Sequence, residues 1–238
     1  ERVWEMMAAF AGYGFPKAHA ASYAQIAWRS AWAKVHFPAE FMAAVLANGG
    51  GYYSQRVYLS EARQLGLSVR PPHINHSQKN FSVGIADGEK QLFMGLGQIK
   101  HLTRKTIEKI MRLRPYYSLD DFLTRVNPRF QEAENLVKVG ALDGLGNIPV
   151  LLKRLQSGWQ DGQMSLFAMN EDAKADWSLE ERMAVQQEIL GVSLAAHPLE
   201  LVADRIEKAG AISIVEAVER IGQRVTVAGV RQTSRRSR

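Results

Sequence analysis

The side chains best placed for chemistry lie in a glycine-broken loop near the start of the chain, with the sequence GYGFPKAHA. Tyr13, Lys17 and His19 are its polar residues, and Gly12 and Gly14 free the backbone around them. Because the amide groups at a helix entrance already attract anions, a lysine and a histidine at this point are suited to binding phosphate. The alternative is a surface helix start, with a solvated lysine and a histidine that caps backbone groups.

Two further histidines, His73 and His76, raise the question of a metal site. They lie in a loop after Pro71 and Pro72, without cysteine and without a nearby pair of carboxylates. We interpret them as polar surface residues, and we assign no metal ligand and no cofactor to this sequence.

The composition is that of a folded protein with an uneven charge. The 238 residues are 46% hydrophobic and include no cysteine, which excludes disulfides, thiol catalysis and cysteine-bound zinc. Residues 1–155 carry 20 basic and 12 acidic side chains, whereas residues 156–210 carry 4 basic and 10 acidic ones. A basic body suits a phosphate backbone, although an excess of this size is also common on solvated surfaces. The sequence shows no membrane span and no signal peptide, and we expect a cytoplasmic protein.

Helical periodicity dominates the chain and predicts a mainly α fold. The loop leads into a long aromatic helix that ends before Pro38, and Ser118 and Ser178 are typical caps of later helices. Three other segments are predicted from their own patterns: a small β-hairpin over 81–94, one helix over 206–220, and a strand over 224–231.

The segments GYGFPKAHAASYA and AWAKVHFPAEFMAAVL resemble the end of the fingers domain of the bacterial C-family DNA polymerases. The resemblance continues through nearly the whole chain. It implies that Lys17 and His19 contact the phosphates of the incoming nucleotide and that Tyr13 packs near its base. It also implies that Mg²⁺ is bound by paired carboxylates of the palm domain. Since this sequence has no Asp-x-Asp pair, we assign no catalytic residue to it.

Two glycine-bounded turns resemble the tandem helix-hairpin-helix domain of the same family, GLGQIKHLTRKTIEKIM and VKVGALDGLG. Such hairpins direct backbone N–H groups at one phosphate without reading bases. In the first turn His101 and Thr103 replace the usual glycines, whereas the second keeps its glycines. The alternative is a helical bundle that uses glycine to end its helices. The residues implied in DNA contact are Lys100, Arg104, Lys105, Lys138, Gly140, Gly144 and Gly146.

A short peptide in an acidic, glycine-flanked linker matches the pattern by which bacterial polymerases and repair proteins bind the sliding clamp. Its glutamine offers an amide to a polar pocket, and its last two residues supply apolar anchors. The alternative is that these two hydrophobic residues dock on this protein itself. The peptide consists of Gln163, Met164, Ser165, Leu166 and Phe167.

The resemblance predicts five consecutive parts of a longer polypeptide. They are the end of the fingers domain (1–70), a tandem helix-hairpin-helix domain (71–156), the linker (157–178), a helical connector (179–222) and the first strand of a truncated OB-fold (223–238).

The expected function follows from these parts. The chain would bind duplex DNA, contact the incoming nucleotide and tether to the sliding clamp, the beta subunit, with other replisome subunits as partners of the intact polymerase. The alternatives are a DNA-binding and clamp-tethering module without chemistry of its own, and the error-prone copy of the polymerase used in damage tolerance. A helix-hairpin-helix repair glycosylase would often carry a four-cysteine cluster, which this sequence lacks.

Overall fold

The computed structural model describes residues 2–11, 17–86, 88–160 and 175–230. These residues are predominantly helical and include one small three-stranded sheet, which confirms the predicted mainly α fold. Tertiary contacts divide the chain into two compact units, residues 1–69 with 81–92 and residues 70–80 with 93–238. Within the described ranges, no helix is both long enough and apolar enough to cross a membrane.

Among the described residues, the first part of the chain has four α-helices and three strands, and the strands pair in the order β1-β3-β2. These elements are α1 (Arg2–Ala11), α2 (Lys17–His36), α3 (Pro38–Ala47), α4 (Gln55–Gln64), β1 (Val69–Arg70), β2 (Ser82–Ala86) and β3 (Glu89–Phe93). The α-helices described after β3 are α5 (Arg104–Leu113), α6 (Leu119–Val126), α7 (Phe130–Lys138), α8 (Ile148–Gln160), α9 (Leu179–Leu190), α10 (Ala203–Lys208) and α11 (Ile214–Glu219).

Helix α3 is the packing centre of the first unit. Pro38 occupies its first turn, where the missing N–H would have no intrahelical acceptor. Ala39, Met42, Ala43 and Leu46 form its buried face at helical spacing, and the helix packs against α2, α4 and β2. This apolar stripe explains why the sequence pattern alone locates the helix.

Helix α2 has the predicted length and aromatic spacing, but its aromatic residues lie on the surface of this chain. None of its 20 residues, all of them described, is buried. Tyr23, Ile26, Trp28 and Trp32 keep between 46% and 69% of their surface exposed. A row of exposed apolar side chains of this kind typically marks a binding surface.

The second unit is built from paired helices. Helix α5 packs against α6, and α7 packs against both α8 and α9. Gln186 of α9 is buried, and its Oε1 accepts hydrogen bonds from the N–H groups of Leu194 (2.8 Å) and Ala195 (2.9 Å). The segment after the linker therefore belongs to the same compact unit as the two hairpins.

Caps predicted from the sequence fix where several helices begin. The hydroxyl groups of Thr103 and Ser118 accept the N–H groups of the residues three positions later. Ser178 and Glu181 form a reciprocal capping box at the start of α9. These local hydrogen bonds need no tertiary partner, so the sequence was sufficient to predict them.

Two predicted elements differ in the structure. The single helix expected over 206–220 is two short helices, α10 and α11, because Gly210 between them has a φ of +62°, which a right-handed helix cannot accommodate. The strand expected over 224–231 is reduced, within the described residues, to one parallel bridge between Ile212 and Val227. A strand needs neighbouring strands for its backbone hydrogen bonds, and the described residues supply none there.

Within the second unit, the side chain of Asn75 joins the loop that follows β1 to the segment between α5 and α6. Asn75 accepts a hydrogen bond from the N–H of Tyr116 (2.8 Å) and donates one to its carbonyl oxygen (2.9 Å). The ring of Tyr116 is buried, and its hydroxyl donates to the carbonyl oxygen of Ile110 (3.0 Å). One amide side chain therefore closes a contact between residues 41 positions apart.

Replacing Asn75 with alanine should lower the free energy of unfolding by about 1–3 kcal/mol, because the backbone groups of Tyr116 lose their partners. Urea denaturation measures this loss. The matched control is Asn48→Ala, which removes an exposed amide bonded to the carbonyl oxygen of Ala44 and should cost less than about 0.5 kcal/mol. Equal losses in the two variants would contradict the role of Asn75.

Candidate nucleic-acid interface

Two turns in the second unit share one backbone design. We call residues 99–103 hairpin 1 and residues 142–146 hairpin 2. The N–H of Leu102 donates to the carbonyl oxygen three residues earlier (3.3 Å), and the N–H of Leu145 does the same (3.0 Å). The residue before each leucine has a positive φ, +64° at His101 and +80° at Gly144. The second unit thus contains the same turn twice.

Hairpin 1 keeps this backbone although it lacks glycine. A residue with a Cβ atom at positive φ is strained by roughly 1 kcal/mol, and histidine is one of the few types found there with some frequency. His101 is exposed, so its imidazole points away from the core. Having His101 in place of glycine therefore changes the side chains of the turn but not its backbone conformation.

Two buried polar residues of α7 hold hairpin 1 in place. The Glu132 carboxylate accepts the N–H of Thr103 (2.9 Å) through Oε1 and the hydroxyl of Thr106 (3.0 Å) through Oε2. Nδ2 of Asn135, one turn further along α7, donates to the carbonyl oxygen of Lys100 (2.8 Å). Glu132 and Asn135 are 3% and 5% exposed, so both are effectively inside the protein.

The buried Glu132 carboxylate is stable in its charged form. Burial alone raises its pKa, but hydrogen bonds from the N–H groups of Arg129 and Thr103 and from the hydroxyls of Thr103 and Thr106 outweigh this effect. The pKa of Glu132 is therefore lowered, and the carboxylate remains ionised at neutral pH.

Sequence reasoning missed Glu132 and Asn135. Both lie on the face of α7 that also buries Ala133, Leu136 and Val137. A carboxylate and an amide three residues apart within an apolar helical stripe are the signal that would have identified them, because polar groups are buried only with partners.

The cations predicted at hairpin 1 are all exposed, and they differ in their polar partners. Nζ of Lys100 donates to the carbonyl oxygen of Glu188 near the end of α9. Nε of Arg104 pairs with Glu108 one turn away (2.7 Å), and Lys105 is exposed. The three side chains lie within six residues of one another, at the turn and the start of α5.

The residues predicted at hairpin 2 also belong to one region. Gly140, with a φ of +83°, ends α7, and the N–H of Ala141 returns to the carbonyl oxygen of Leu136 (2.9 Å). Gly144 is exposed, and a Cβ atom added to it would meet nothing within 4 Å. Nζ of Lys138 pairs with Glu134. The glycine of this turn therefore leaves open space beside its backbone.

Two carboxylates accept amides at hairpin 2. Oδ1 of Asp143 accepts the N–H of Gly144 (3.1 Å), and Oδ1 of Asp176 accepts the N–H of Ile148 (3.3 Å) at the start of α8. Asp143 is exposed and Asp176 is half-buried, in contrast to Glu132 at hairpin 1. Asp176 also pairs with Arg182.

The histidine pair is explained by backbone contacts. Nε2 of His73 donates to the carbonyl oxygen of Asp143 (3.0 Å), and Nδ1 accepts the N–H of Asn75 (3.1 Å). This arrangement requires a neutral ring with its proton on Nε2, and burial accordingly lowers the pKa of His73. Its ring lies 4.6 Å from that of His76. Among the described residues, no group of three or more His, Cys, Asp and Glu residues could hold a metal ion.

The predicted nucleotide and clamp residues are described only in part. Lys17 begins α2 and is exposed, and His19 contacts the ring of Tyr23 edge-on with centroids 4.4 Å apart. Tyr13 and the peptide 163–167 lie outside the described residues.

Comparison with known proteins finds a motif family that covers the region of the repeated turn. Residues 66–148, which include both hairpins, match the family described as the helix-hairpin-helix motif. The chain is 35% identical to the DNA polymerase III subunit alpha of Xylella fastidiosa (strain Temecula1), over 93% of the chain and 21% of that protein. It is 37% identical to the same subunit of Thermus aquaticus, over 83% of the chain and 18% of that protein.

The chain is a relative of the bacterial C-family DNA polymerases. It is also 31% identical to an error-prone DNA polymerase of Corynebacterium glutamicum, over 97% of the chain and 22% of that protein. The chain spans about a fifth of the length of the curated polymerase relatives it matches. These matches confirm the resemblance to the C-family polymerases that the sequence motifs indicated.

Replacing His101 with glycine should raise the free energy of unfolding by about 0.5 kcal/mol, because glycine adopts positive φ without a clash at Cβ. Urea denaturation measures the gain. The control is Lys105→Gly, two residues into α5, which should lower the free energy of unfolding by roughly 0.5–1 kcal/mol. A His101→Gly variant that is less stable than the parent would contradict the strain at this turn.

Proposed function

We propose that the chain binds the sugar–phosphate backbone of duplex DNA through its two hairpins. The observation that carries this proposal is the repeated turn, with the same hydrogen bond and a positive φ at the same position in residues 99–103 and 142–146. Two equivalent turns within one unit suit a backbone that repeats a single chemical group. The match to the helix-hairpin-helix family and to polymerase relatives supports the same function.

The chemistry of the two turns fits a contact without base readout. Hairpin 2 leaves open space beside Gly144, which allows another backbone to come close. Hairpin 1 offers Lys105 and Arg104 on the first turn of α5, where the helix dipole also favours an anion. Contacts from backbone amides and cationic side chains to phosphate carry no sequence information, so affinity should depend on charge more than on sequence.

The purified chain should bind labelled duplexes of unrelated sequence with similar affinity and strong salt dependence, because counterions are released from each neutralised phosphate. Fluorescence anisotropy over a range of salt concentrations measures this. Lys105→Ala should weaken binding of every duplex and reduce the slope of log K against log salt by about 1.

The matched control for this experiment is Lys208→Ala, which removes an exposed lysine of α10, outside both hairpins. It should leave the affinity within about twofold of the parent, since no phosphate contact is expected there. Salt-insensitive binding, or equal effects of the two substitutions, would contradict the proposal.

We further propose that the first turn of α2 contacts a nucleoside triphosphate through Lys17 and His19, with Tyr13 near the base. The exposed position of Lys17 at the first residue of α2 supports this role, because a cation there adds to the positive end of the helix. Polymerase chemistry uses paired carboxylates and Mg²⁺. The sequence has no Asp-x-Asp pair, so we propose no metal-dependent step and no primer extension by this chain.

Lys17→Ala should weaken binding of a deoxynucleoside triphosphate at least about fivefold, because one charge contact to a phosphate is lost. Isothermal titration in low salt measures the affinity. Lys34→Ala, near the other end of the same helix, is the control, and it should leave nucleotide affinity unchanged. Equal affinities in the Lys17 variant and the parent would contradict the nucleotide contact.

A third proposal concerns the peptide at 163–167, whose sequence fits an extended ligand of the sliding clamp. Its polar first residue and its two apolar last residues provide the anchors such small interfaces depend on. Together, the three proposals describe a polymerase segment that binds the product duplex, contacts the nucleotide and tethers the enzyme to its clamp.

Replacing Gln163, Leu166 and Phe167 together with alanine should abolish binding to the sliding clamp, because the polar contact and both apolar anchors are lost. Calorimetric titration of purified clamp measures this. Met164→Ala with Ser165→Ala is the control within the same peptide and should retain most of the affinity. Unchanged clamp binding in the triple variant would rule the peptide out.

A further inference from the structure

The N–H of the residue that caps α5 has an acceptor inside the protein. The N–H of Thr103 donates to Oε1 of Glu132, and Oε2 of the same carboxylate accepts the N–H of Arg129 (2.9 Å) and the hydroxyl of Thr106 (3.0 Å). Three donors at the starts of two different helices are thus bound by one ionised side chain. Since Glu132 is only 3% exposed, water does not compete for these bonds.

Asn135 fixes the other end of the turn to α7. Its Nδ2 donates to the carbonyl oxygen of Lys100 (2.8 Å), and its Oδ1 accepts Nε2 of Gln131 (3.0 Å). His101 and Leu102 lie between the two fastened positions, so both ends of the strained segment are fixed to α7. A residue at positive φ persists only where its surroundings impose it.

We propose that Glu132 and Asn135 are positioning residues that hold hairpin 1 in the shape used on DNA, and that the Thr103 amide serves Glu132 and no DNA phosphate. This inference rests on the proposed DNA-binding function. It assigns the two hairpins different chemistry, with cationic side chains acting at hairpin 1 and backbone amides acting at hairpin 2.

Competition between anions is the physical reason. A phosphate that took the Thr103 amide would have to displace a carboxylate that also holds two other donors, and it would approach a like charge within a few ångströms. At hairpin 2 the N–H of Gly144 donates to Oδ1 of Asp143 at 3.1 Å, and Asp143 is exposed. A phosphate can replace this carboxylate, since water can take over its solvation.

The test compares Thr103→Pro with Thr103→Ala. Both variants lose the capping hydroxyl, but only proline also loses the amide donor, and the φ of −77° at Thr103 is one that proline adopts. We expect Thr103→Pro to bind duplex DNA at most about threefold more weakly than Thr103→Ala and with an equal salt slope, because only the bond by which Glu132 positions the turn is lost. Binding at least tenfold weaker in Thr103→Pro than in Thr103→Ala would overturn the assignment of the amide.

An NMR measurement on the parent chain keeps the test valid if the proline variant does not fold. The Thr103 amide signal should move with the acid titration of Glu132 and stay in place when a 20-base-pair duplex is added to saturation. A change of the Thr103 amide signal on DNA addition, as large as that at hairpin 2, would overturn the proposal.

Asn135→Ala tests whether the bond from Asn135 to Lys100 fixes the turn. Hydrogen exchange of the amides at 100–103 should become at least tenfold faster while exchange at hairpin 2 stays unchanged, and the affinity for DNA should fall about threefold. Lys208→Ala, on α10 and outside both hairpins, is the control and should change neither quantity. Equal acceleration at both hairpins would mean a general loss of stability and would overturn the positioning role.

The two proposals can fail separately. If neither the parent chain nor any variant binds duplex DNA, the proposed function fails, while the exchange and titration results on the free protein still decide whether Glu132 and Asn135 hold hairpin 1. If the parent binds DNA and the Thr103 amide responds to it, only the further inference fails.

Discussion

One buried carboxylate organises the centre of the second unit. Glu132 can stay charged inside the protein only because Thr103, Thr106 and Arg129 donate hydrogen bonds to it. The same bonds fix where α5 begins, where α7 begins, and how far apart the two helix starts lie. Removing one of these donors would leave the buried charge poorly satisfied. The turn, the cap and the helix contact would therefore all be destabilised together.

The two hairpins show how one backbone shape is reached by different chemistry. Hairpin 2 uses Gly144, which adopts a positive φ without strain. Hairpin 1 has His101 at the same place, and the strain is balanced by hydrogen bonds from α7. Gly144 leaves room for another backbone beside hairpin 2, whereas hairpin 1 carries the side chain of His101 at that position. The substitution therefore changes what the turn can contact more than it changes the fold.

The docking of α9 extends this unit beyond the two hairpins. Gln186 joins the segment that follows α9 to Val139 at the end of α7, and Lys100 reaches the carbonyl oxygen of Glu188. Hairpin 1 is thus in contact with α7 on one side and with α9 on the other. Similarity to the polymerase relatives also covers this region.

The sequence by itself determined the local features of this protein. Helical periodicity, the cap at Ser118, the capping box at Ser178 and the positive φ of glycine depend on residues close in the chain, so the mainly α fold and hairpin 2 were predictable, whereas hairpin 1 was expected from the resemblance. Only the tertiary structure decided which polar groups meet. Glu132 reaches Thr103 across 29 positions, and Asn75 reaches Tyr116 across 41, and no local pattern encodes such pairs. The strand expected at 224–231 failed for the same reason, because a strand is completed by partners that its own residues do not specify.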